Sequence, residues 1–400
     1  MISYFQCTEE KDSSYMLFQF YNNFKDLHEG SNPLIKINIE ALTPFNVDSQ
    51  TLENISNYLS NSTFKEKTFI HKKQSQLPFS LSINPIDQKV FLKTKGLPPV
   101  GFGSSCNLVF GVDLQTHVKV AYRSLPTHKV TLAERNINIE LSERPDLFVA
   151  TKEIYDYEGS FTCKVQKDES EKEIVVKSVN RKKIPKTCFI LECLNMDLFD
   201  LLDSNLNFQD KIDIACDIAK ALDVLHNNYN VVHRDLKLEN IFISECSGYQ
   251  KYHAKIGDFG QSEYMGQEPV FGGGTSTYNP PEWLLRAIKN EKNRTDDLPR
   301  AEFSSDMWSF GVTLLLLFGG PLTYEYWDDL CETYDYISSD FPLYKEDAIS
   351  TMESNEDERL DSIIELIRFC LEFNPNARIT AHKARKILED LKDTSGCTVF

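Results

Sequence analysis

The sequence has no long apolar run and no amino-terminal signal pattern. Its longest apolar stretch lies near Val312–Phe318, far shorter than the roughly 20 residues of a membrane-spanning helix. Acidic residues come early, and no basic segment precedes an apolar one, as it would in a secretory signal. The ten cysteines are scattered without a paired CxxC spacing. Together these absences predict free thiols in a reducing, cytoplasmic location.

Basic charge is also scarce. The 400 residues include 43 Lys and Arg against 60 Asp and Glu, which gives a formal charge of −17. Because nucleic acid and anionic membranes attract basic surfaces, we predict no binding to nucleic acid. Basic or neutral protein substrates are compatible with this charge. The apolar share of 41% and the charged share of 26% are typical of a soluble folded protein, and the length predicts two or three domains.

Residues 1–90 contain no chemical motif. Ile35–Ile39 and Phe79–Ile83 alternate apolar and polar residues, which predicts half-buried strands. Aromatic residues are too frequent here for a disordered tail. We therefore predict a small folded N-terminal region of unknown role.

The pattern changes after residue 90. Alternating or apolar segments predict strands at His117–Arg123, Phe148–Tyr157 and Cys188–Cys193, and the charged stretch Glu158–Lys186 between the last two is typical of an insertion or a long hairpin. Beyond Leu194 the pattern is mostly helical, with one apolar stripe along 208–226. Strands followed by helices predict an α+β fold in two unequal lobes.

The stretch VVHRDLKLEN at 231–240 concentrates polar chemistry on a loop between a helix and a strand. Asp235 can accept a proton from a hydroxyl, Lys237 can neutralise a phosphoryl group, and the amide oxygen of Asn240 can bind a metal. Downstream, Asp258 supplies a second carboxylate beside a glycine-containing turn. An acid, an amide and a cation around one point suit phosphoryl transfer assisted by Mg²⁺.

HRDLKLEN at 233–240 and DFG at 258–260 resemble the signature motifs of the eukaryotic-type protein kinase family. Four more stretches resemble its motifs in the expected order: GFGSSC at 101–106, GTSTYNPPE at 274–282, DMWSFG at 306–311 and NPNARIT at 374–380. The resemblance implies a bilobal fold over residues 91–392, with a β-rich small lobe, a helical large lobe and the N-terminal region as an addition. It also implies ATP and Mg²⁺ as cofactors and a protein as substrate.

By this resemblance, Asp235 is the catalytic base, Lys237 neutralises the phosphoryl group, and Asn240 and Asp258 bind Mg²⁺. Lys237 together with Thr275 indicates serine/threonine rather than tyrosine specificity.

The resemblance also implies roles outside the catalytic loop. Glu282 is expected to pair with Arg378 in the large lobe, and Asp306 to brace the catalytic loop. The residues expected at the nucleotide are the loop glycines Gly101 and Gly103, the gatekeeper Leu191, and the hinge residues Glu192 and Cys193.

One departure from the family concerns its third-strand lysine. The expected V-A-x-K reads VAYR at 120–123, so Arg123 occupies the lysine position. Arginine keeps the charge, but its planar fork does not replace an ammonium neutrally. By alternation Lys119 shares a face with Arg123, so it is an alternative candidate for the phosphate contact. The other reading, favoured by the usual exposure of lysine, is that Lys119 is only a solvated strand residue.

The glutamate that should partner this cation is also ambiguous. We place it at Glu134. The family's spacing to Pro145 would instead favour position 135, which is Arg135, and Glu140 is a further option.

The last residues, 393–400, resemble a flexible tail with a CaaX box. Cys397 stands four residues from the end and the chain finishes with Phe400, a combination that favours geranylgeranylation. One prenyl chain gives only reversible membrane binding. We therefore predict a cytoplasmic protein with weak peripheral membrane association through this lipid.

Two functional hypotheses follow. In the first, the protein is an active Ser/Thr kinase that uses Mg-ATP. In the second, it is a pseudokinase scaffold or regulator whose use of ATP is impaired by Arg123. The intact set of Asp235, Lys237, Asn240 and Asp258 favours activity. A small-molecule or lipid kinase is disfavoured by the GTSTYNPPE stretch, which resembles a peptide-docking platform.

Overall fold

A computed structural model describes most of the chain from residue 118 onward and isolated strands before it. The described residues are 4–8, 15–21, 34–38, 79–83, 90–94, 108–113, 118–158, 163–167, 174–178, 185–194, 196–202, 204, 206–246, 250–267, 274–286, 300–320, 341–352 and 357–394. The chain divides into two compact units. One comprises residues 1–130 and 152–193, and the other comprises residues 131–151 and 194–400.

The first unit is built of strands. They are β1 (Tyr4–Thr8), β2 (Tyr15–Tyr21), β3 (Leu34–Asn38), β4 (Phe79–Ile83), β5 (Val90–Thr94), β6 (Leu108–Asp113), β7 (Val118–Pro126), β8 (Thr151–Glu158), β9 (Cys163–Lys167), β10 (Ile174–Ser178) and β11 (Pro185–Glu192). They form a six-stranded sheet in the order β4-β5-β6-β7-β11-β8 and a five-stranded sheet in the order β3-β2-β1-β10-β9.

The six-stranded sheet holds β7 between two antiparallel neighbours. Arg123 lies opposite Leu108 of β6 and Phe189 of β11. Because successive residues of a strand point to opposite faces, Arg123 and Tyr122 belong to different faces. Both are buried, so this part of the sheet is covered on its two sides.

The five-stranded sheet joins distant parts of the sequence. The charged stretch predicted as an insertion or hairpin forms the hairpin β9–β10, and β10 pairs with β1 near the start of the chain, with Tyr4 opposite Lys177. The N-terminal region thus contributes β1, β2 and β3 to this sheet, whereas its β4 extends the six-stranded sheet next to β5.

Among its described residues, the second unit contains helices and five short strands. The helices are α1 (Leu132–Leu141), α2 (Leu198–Leu202), α3 (Phe208–Asn227), α4 (Phe303–Leu317), α5 (Phe341–Ser350), α6 (Leu360–Cys370) and α7 (Ala381–Thr394). The strands are β12 (Met196–Asp197), β13 (Val231–Val232), β14 (Ile241–Glu245), β15 (Tyr252–Ile256) and β16 (Glu263–Tyr264). This division into a β-rich and a helical part confirms the predicted α+β, bilobal class of fold.

The core of the second unit is organised around α3 and α4. Helix α3 begins with a capping box, in which Asn207 and Asp210 satisfy each other's backbone N–H groups. Its predicted apolar stripe is buried, and α4 buries Trp308 and Phe310 beside it. Within the part of the chain that the structure describes, no helix has the length and apolar character needed to cross a bilayer.

Candidate active site

The catalytic loop leaves β13 and enters β14, and Asp306 of α4 holds its start. The backbone N–H groups of His233 and Arg234 donate to the two carboxylate oxygens of Asp306 at 2.8 and 2.9 Å. His226 Nε2, from the end of α3, lies 2.9 Å from Asp306 Oδ2. This arrangement fixes the loop even though Arg234 adopts a left-handed backbone with φ of 66°.

Burial alone would raise the pKa of the Asp306 carboxyl, which is fully buried. The hydrogen bond and the charge of His226, together with the hydrogen bond from the His233 backbone N–H, outweigh that effect and hold the pKa below its usual value. The carboxylate therefore stays ionised, as it must to accept these hydrogen bonds.

Asp235 lies at the centre of a short hydrogen-bonded group. Thr275 Oγ1 donates to Asp235 Oδ1 at 2.9 Å and accepts from Lys237 Nζ at 3.1 Å. Lys237 Nζ itself is 3.9 Å from Asp235 Oδ2. The Asn240 amide nitrogen donates to the Asp235 carbonyl at 2.8 Å and to its Oδ2 at 3.2 Å. The structure thus brings the four predicted residues Asp235, Lys237, Asn240 and Thr275 together.

The electrostatics of Asp235 suit a base that titrates above the usual aspartate range. Burial raises the pKa of its carboxyl, and the negative charge of Asp258 raises it further. Lys237, the Thr275 hydroxyl and His233 act in the opposite direction, but the net shift is upward. A higher pKa makes the carboxylate a stronger proton acceptor, provided that it is ionised at the working pH.

His233 ties the catalytic loop to the turn that carries Asp258. Its Nδ1 accepts from the Asp235 N–H at 3.3 Å, so Nε2 carries the proton and donates to the Gly257 carbonyl at 3.0 Å. Gly257 N–H in turn donates to the Asn240 carbonyl at 2.9 Å. A side chain at Gly257 would collide with Val149 at 2.7 Å, so this close approach requires glycine.

The residues present fit a nucleotide-bound Mg²⁺. Because the amide nitrogen of Asn240 is used as a donor, its amide oxygen is left as the atom for a metal. Asp258, whose negative charge acts on Asp235, would supply a carboxylate ligand. Among the described residues, no group of three or more His, Cys, Asp or Glu side chains could hold a metal unaided. Mg²⁺ in phosphoryl-transfer sites typically has one or two protein ligands and takes the rest from phosphates and water.

The segment that follows the site is anchored by a glycine. Gly274 has a φ of +83°, and an added Cβ would lie 2.0 Å from Asn279 Oδ1 and 3.0 Å from the Arg234 carbonyl. Both the conformation and the space therefore exclude other residues. This tight approach places Thr275, the next residue, against Asp235.

Glu282 and Arg378 form a two-bond ion pair. Arg378 Nη1 and Nη2 donate to the two carboxylate oxygens of Glu282 at 2.7 and 2.6 Å. The Arg378 side chain is 0% exposed, and its other hydrogen bonds go to the carbonyls of Glu372, Ser304 and Phe373. The pair joins the end of the 274–286 segment to the body of the second unit and has no contact with the Asp235 group.

The predicted nucleotide-binding residues of the first unit lie on β7 and β11. Arg123 is 7% exposed, and its guanidinium lies 5.3 Å from the centre of the Phe189 ring. Leu191 and Glu192 lie opposite Ala121 and Val120 of β7, and Cys193 follows directly. Lys119 lies opposite Val112 on β6, at a position that alternation puts on the same face as Arg123. Gly101, Gly103 and Cys397 lie outside the described residues.

The acidic candidates of α1 differ in their surroundings. Glu134 is buried in the first turn, after the N-cap residue Thr131. Arg135, the alternative position, is half-buried. Glu140 accepts a hydrogen bond from the Tyr264 hydroxyl at 3.2 Å, so its carboxylate connects α1 to β16. Of the three positions, Glu134 is the buried acid.

Sequence reasoning missed two contributors to the site. His226 is the last-turn histidine of α3, and Tyr264 lies on β16. Neither belongs to the motifs of the catalytic loop. The weak signal for His226 is that a histidine near a helix C-terminus interacts favourably with the helix dipole, and nothing in the sequence links it to Asp306.

Comparison with known proteins agrees with this geometry. The family model described as "Protein kinase domain" matches residues 99–388, more than half of the chain. The chain therefore belongs to the protein kinase family.

Individual relatives match over shorter stretches. A probable myosin light chain kinase of Dictyostelium discoideum is 31% identical over 225 residues, which cover 53% of this chain and 40% of that protein. A G-type lectin S-receptor-like serine/threonine-protein kinase of Arabidopsis thaliana is 28% identical over 200 residues, which cover 47% of this chain and 22% of that protein. The serine/threonine-protein kinase SBK1 of Danio rerio is 32% identical over 133 residues, which cover 32% of this chain and 31% of that protein. The matches thus cover less than half of each relative.

Proposed function

We propose that this protein is an active Ser/Thr protein kinase that transfers the γ-phosphoryl group of Mg-ATP to a hydroxyl of a protein substrate. The hydrogen-bonded group of Thr275, Asp235 and Lys237 carries the proposal. It combines a carboxylate of raised pKa with a cation within 4 Å, and a binding module has no need of that combination.

In the proposed reaction the substrate oxygen forms a bond to the γ-phosphorus while the bond from that phosphorus to the bridging oxygen of ADP breaks. Asp235 orients the hydroxyl and takes its proton. Lys237 offsets negative charge on the transferred group, and positioning with charge stabilisation accounts for most of the rate in such reactions. Asn240 and Asp258 would hold the Mg²⁺, which supplies charge neutralisation on the phosphates.

Serine/threonine specificity is supported by the contacts of Lys237. Its ammonium reaches the Thr275 hydroxyl beside the base, so a cation and a small side chain together border the place of the acceptor hydroxyl. Two of the relatives above carry serine/threonine-protein kinase in their names. The substrate is proposed to be a protein.

The alternative function is a pseudokinase scaffold or regulator. Arg123 is the observation that favours it, because its planar guanidinium, which lies over the Phe189 ring, is bulkier than the lysine ammonium of the family and does not replace it neutrally. Such a protein would keep the folded site and bind partners without transferring phosphate.

We also propose that Cys397 is prenylated and that the protein is cytoplasmic with weak peripheral membrane binding. The first two residues of the predicted 393–400 tail are the end of α7, so the tail begins after Thr394. Helix α7, which precedes the tail, is tied to α3 by Lys392–Asp213 at 3.0 Å and Arg385–Asp223 at 3.1 Å. A lipid on the tail would thus be attached close to a fixed helix. Labelling of cells with an isoprenoid precursor should mark the wild type and not Cys397→Ser. Equal labelling of the two would contradict the proposal.

The kinase proposal is tested by incubating the purified full chain with γ-labelled Mg-ATP and a mixture of protein substrates, followed by phosphoamino-acid analysis. Label on serine and threonine that disappears in Asp235→Asn supports the proposal. Label on tyrosine would overturn the specificity. Absence of label above the Asp235→Asn background would favour the pseudokinase. Glu389→Gln, a change in an exposed ion pair of α7, serves as the control variant.

A further inference from the structure

One face of the six-stranded sheet is buried, and the segment that packs on it has yet to be identified. The members of this face are Val120, Tyr122, Tyr155, Cys188 and Ile190, hereafter the Tyr122 face. Each of them is 2% exposed or less. The Tyr122 hydroxyl is hydrogen-bonded to the Cys188 thiol and lies 3.3 Å from the Tyr155 hydroxyl, so polar groups are buried here as well.

The Tyr122 face is opposite to the one that carries Arg123. Tyr122 pairs with Ile190, whereas Arg123 pairs with Phe189, and alternation separates the two pairs. The burial is found in a single chain, so the cover comes from this chain and needs no partner. Among the described residues, the remaining strands of the same compact unit are those of the five-stranded sheet.

The register of the five-stranded sheet gives it two unlike faces. Phe5 lies opposite both Phe20 and Val176, and Val176 lies opposite Val165. One row across four strands is therefore apolar, and the neighbouring row on the same face contains Cys7, Phe18 and Ile35.

The alternate rows contain more polar residues. Gln6 lies opposite Gln19 and Val175, and Lys177 lies opposite Lys164 and Tyr4. A sheet with one apolar and one polar face buries the apolar one against another layer.

We infer that the apolar face of the five-stranded sheet docks on the Tyr122 face, so that the two sheets form a sandwich of the kind in which antiparallel sheets pack about 10 Å apart. The N-terminal region, which has no chemical motif, then has a definite task. Together with the inserted hairpin β9–β10 it covers the back of the strand that carries Arg123.

The inference has a direct test in thiol labelling of the full chain, because three described cysteines report on three environments. Cys188 lies on the Tyr122 face, Cys370 is buried in the second unit, and Cys246 is exposed. Labelling with N-ethylmaleimide followed by peptide mass spectrometry measures each site separately and requires no catalytic activity.

Phe5→Asp places a charge on the apolar face of the five-stranded sheet, and Gln6→Asp places the same charge on the polar face one residue away. We expect Phe5→Asp to speed labelling of Cys188 at least about tenfold, because the cover opens locally. Cys370 should stay protected, and Gln6→Asp should leave Cys188 close to wild type.

Unchanged protection of Cys188 in Phe5→Asp would overturn the inference, as would equal exposure of Cys188 in Gln6→Asp. If Phe5→Asp also exposes Cys370, the disruption has reached the second unit, and the milder Val176→Thr decides. That substitution keeps the shape of valine and replaces one methyl group of the same apolar row with a hydroxyl. Several-fold faster labelling of Cys188 with protected Cys370 supports docking, and a wild-type rate contradicts it.

Discussion

The Thr275 hydroxyl donates to Asp235 while it accepts from Lys237, at 2.9 and 3.1 Å. Thr275 thus links the proposed base to the proposed phosphate-neutralising cation. Because its hydrogen bond lowers the pKa of Asp235 against the effect of burial, it also sets the pH at which the base is ionised.

Replacing Thr275 with valine keeps the shape and removes the hydroxyl. The Asp235 pKa should rise, so the acid limb of the pH profile of kcat should move to higher pH. We also expect kcat to fall at least about tenfold, since Lys237 loses its fixed position. Ser276→Ala removes an exposed hydroxyl next in the chain and should leave both unchanged. An acid limb in the wild-type position in Thr275→Val would contradict this role.

The pair Glu282–Arg378 should contribute strongly to stability. In Glu282→Gln the fully buried Arg378 loses its counter-charge, and breaking a buried pair in this way costs about 3–5 kcal/mol. Urea unfolding at neutral pH measures the change. The control is Glu389→Gln, which breaks the more exposed i,i+4 pair with Arg385 and should cost at most about 0.5 kcal/mol. Equal losses of unfolding free energy in the two variants would contradict a large contribution of the Glu282–Arg378 pair to stability.

The lowered pKa of Asp306 should make the free energy of unfolding depend on pH in the acid range. Its folded pKa is lower than its unfolded value, so its contribution is complete above the ordinary aspartate pKa, near 4. The contribution is lost as the pH falls through the lowered folded pKa. Asp306→Asn should be less stable than wild type at pH 7 and should show a flatter stability curve in that acid window. Parallel curves for the two proteins in urea titrations at several pH values would refute the linkage.

Asp197 should act in the opposite sense. Burial, together with the charges of Asp200 and Glu239, raises its pKa to about 6. The folded state therefore holds a proton that the unfolded state has released, and Asp197 lowers stability as the pH rises from about 4 to 6. Asp197→Asn should raise the Tm at pH 7.5 and should weaken the fall in stability between about pH 4 and 6. Asp361→Asn, which changes an exposed acid, should do neither. A lower Tm for Asp197→Asn would contradict the sign.

Arg123 and Lys119 can be separated kinetically. We expect Arg123→Ala to lower kcat/KM for ATP by about a hundredfold or more and Lys119→Ala to stay within about threefold of wild type. Arg123→Lys restores the residue of the family. It tests whether kcat/KM for ATP depends on the planar guanidinium or only on the positive charge. A large loss in Lys119→Ala with little change in Arg123→Ala would assign the phosphate contact to Lys119.

The catalytic loop was predictable from sequence because its residues lie within one short stretch and their spacing is dictated by chemistry. Asp235, Lys237 and Asn240 meet in the structure for that reason. The contact of Tyr264 with Glu140 spans 124 positions, and no local pattern points to it.

The five-stranded sheet also shows that local sequence patterns do not reveal which distant segments pair. Alternation predicts that Ile35–Ile39 forms a strand, and β3 covers Leu34–Asn38. Alternation does not specify the partner, because the period of two is the same for every strand. The pairing of β1 with β10, between residues far apart in the chain, therefore required the structure.

The central claim is that Asp235 acts as the base of a phosphoryl-transfer reaction. The most direct measurement is a single turnover with saturating Mg-ATP and substrate, comparing wild type with Asp235→Asn, while nucleotide affinity is measured on the same two proteins. We predict nucleotide affinities within about threefold of each other and a transfer rate at least about a hundredfold lower in the variant. Equal nucleotide affinities with equally low transfer rates would contradict the claim and identify the chain as a nucleotide-binding scaffold.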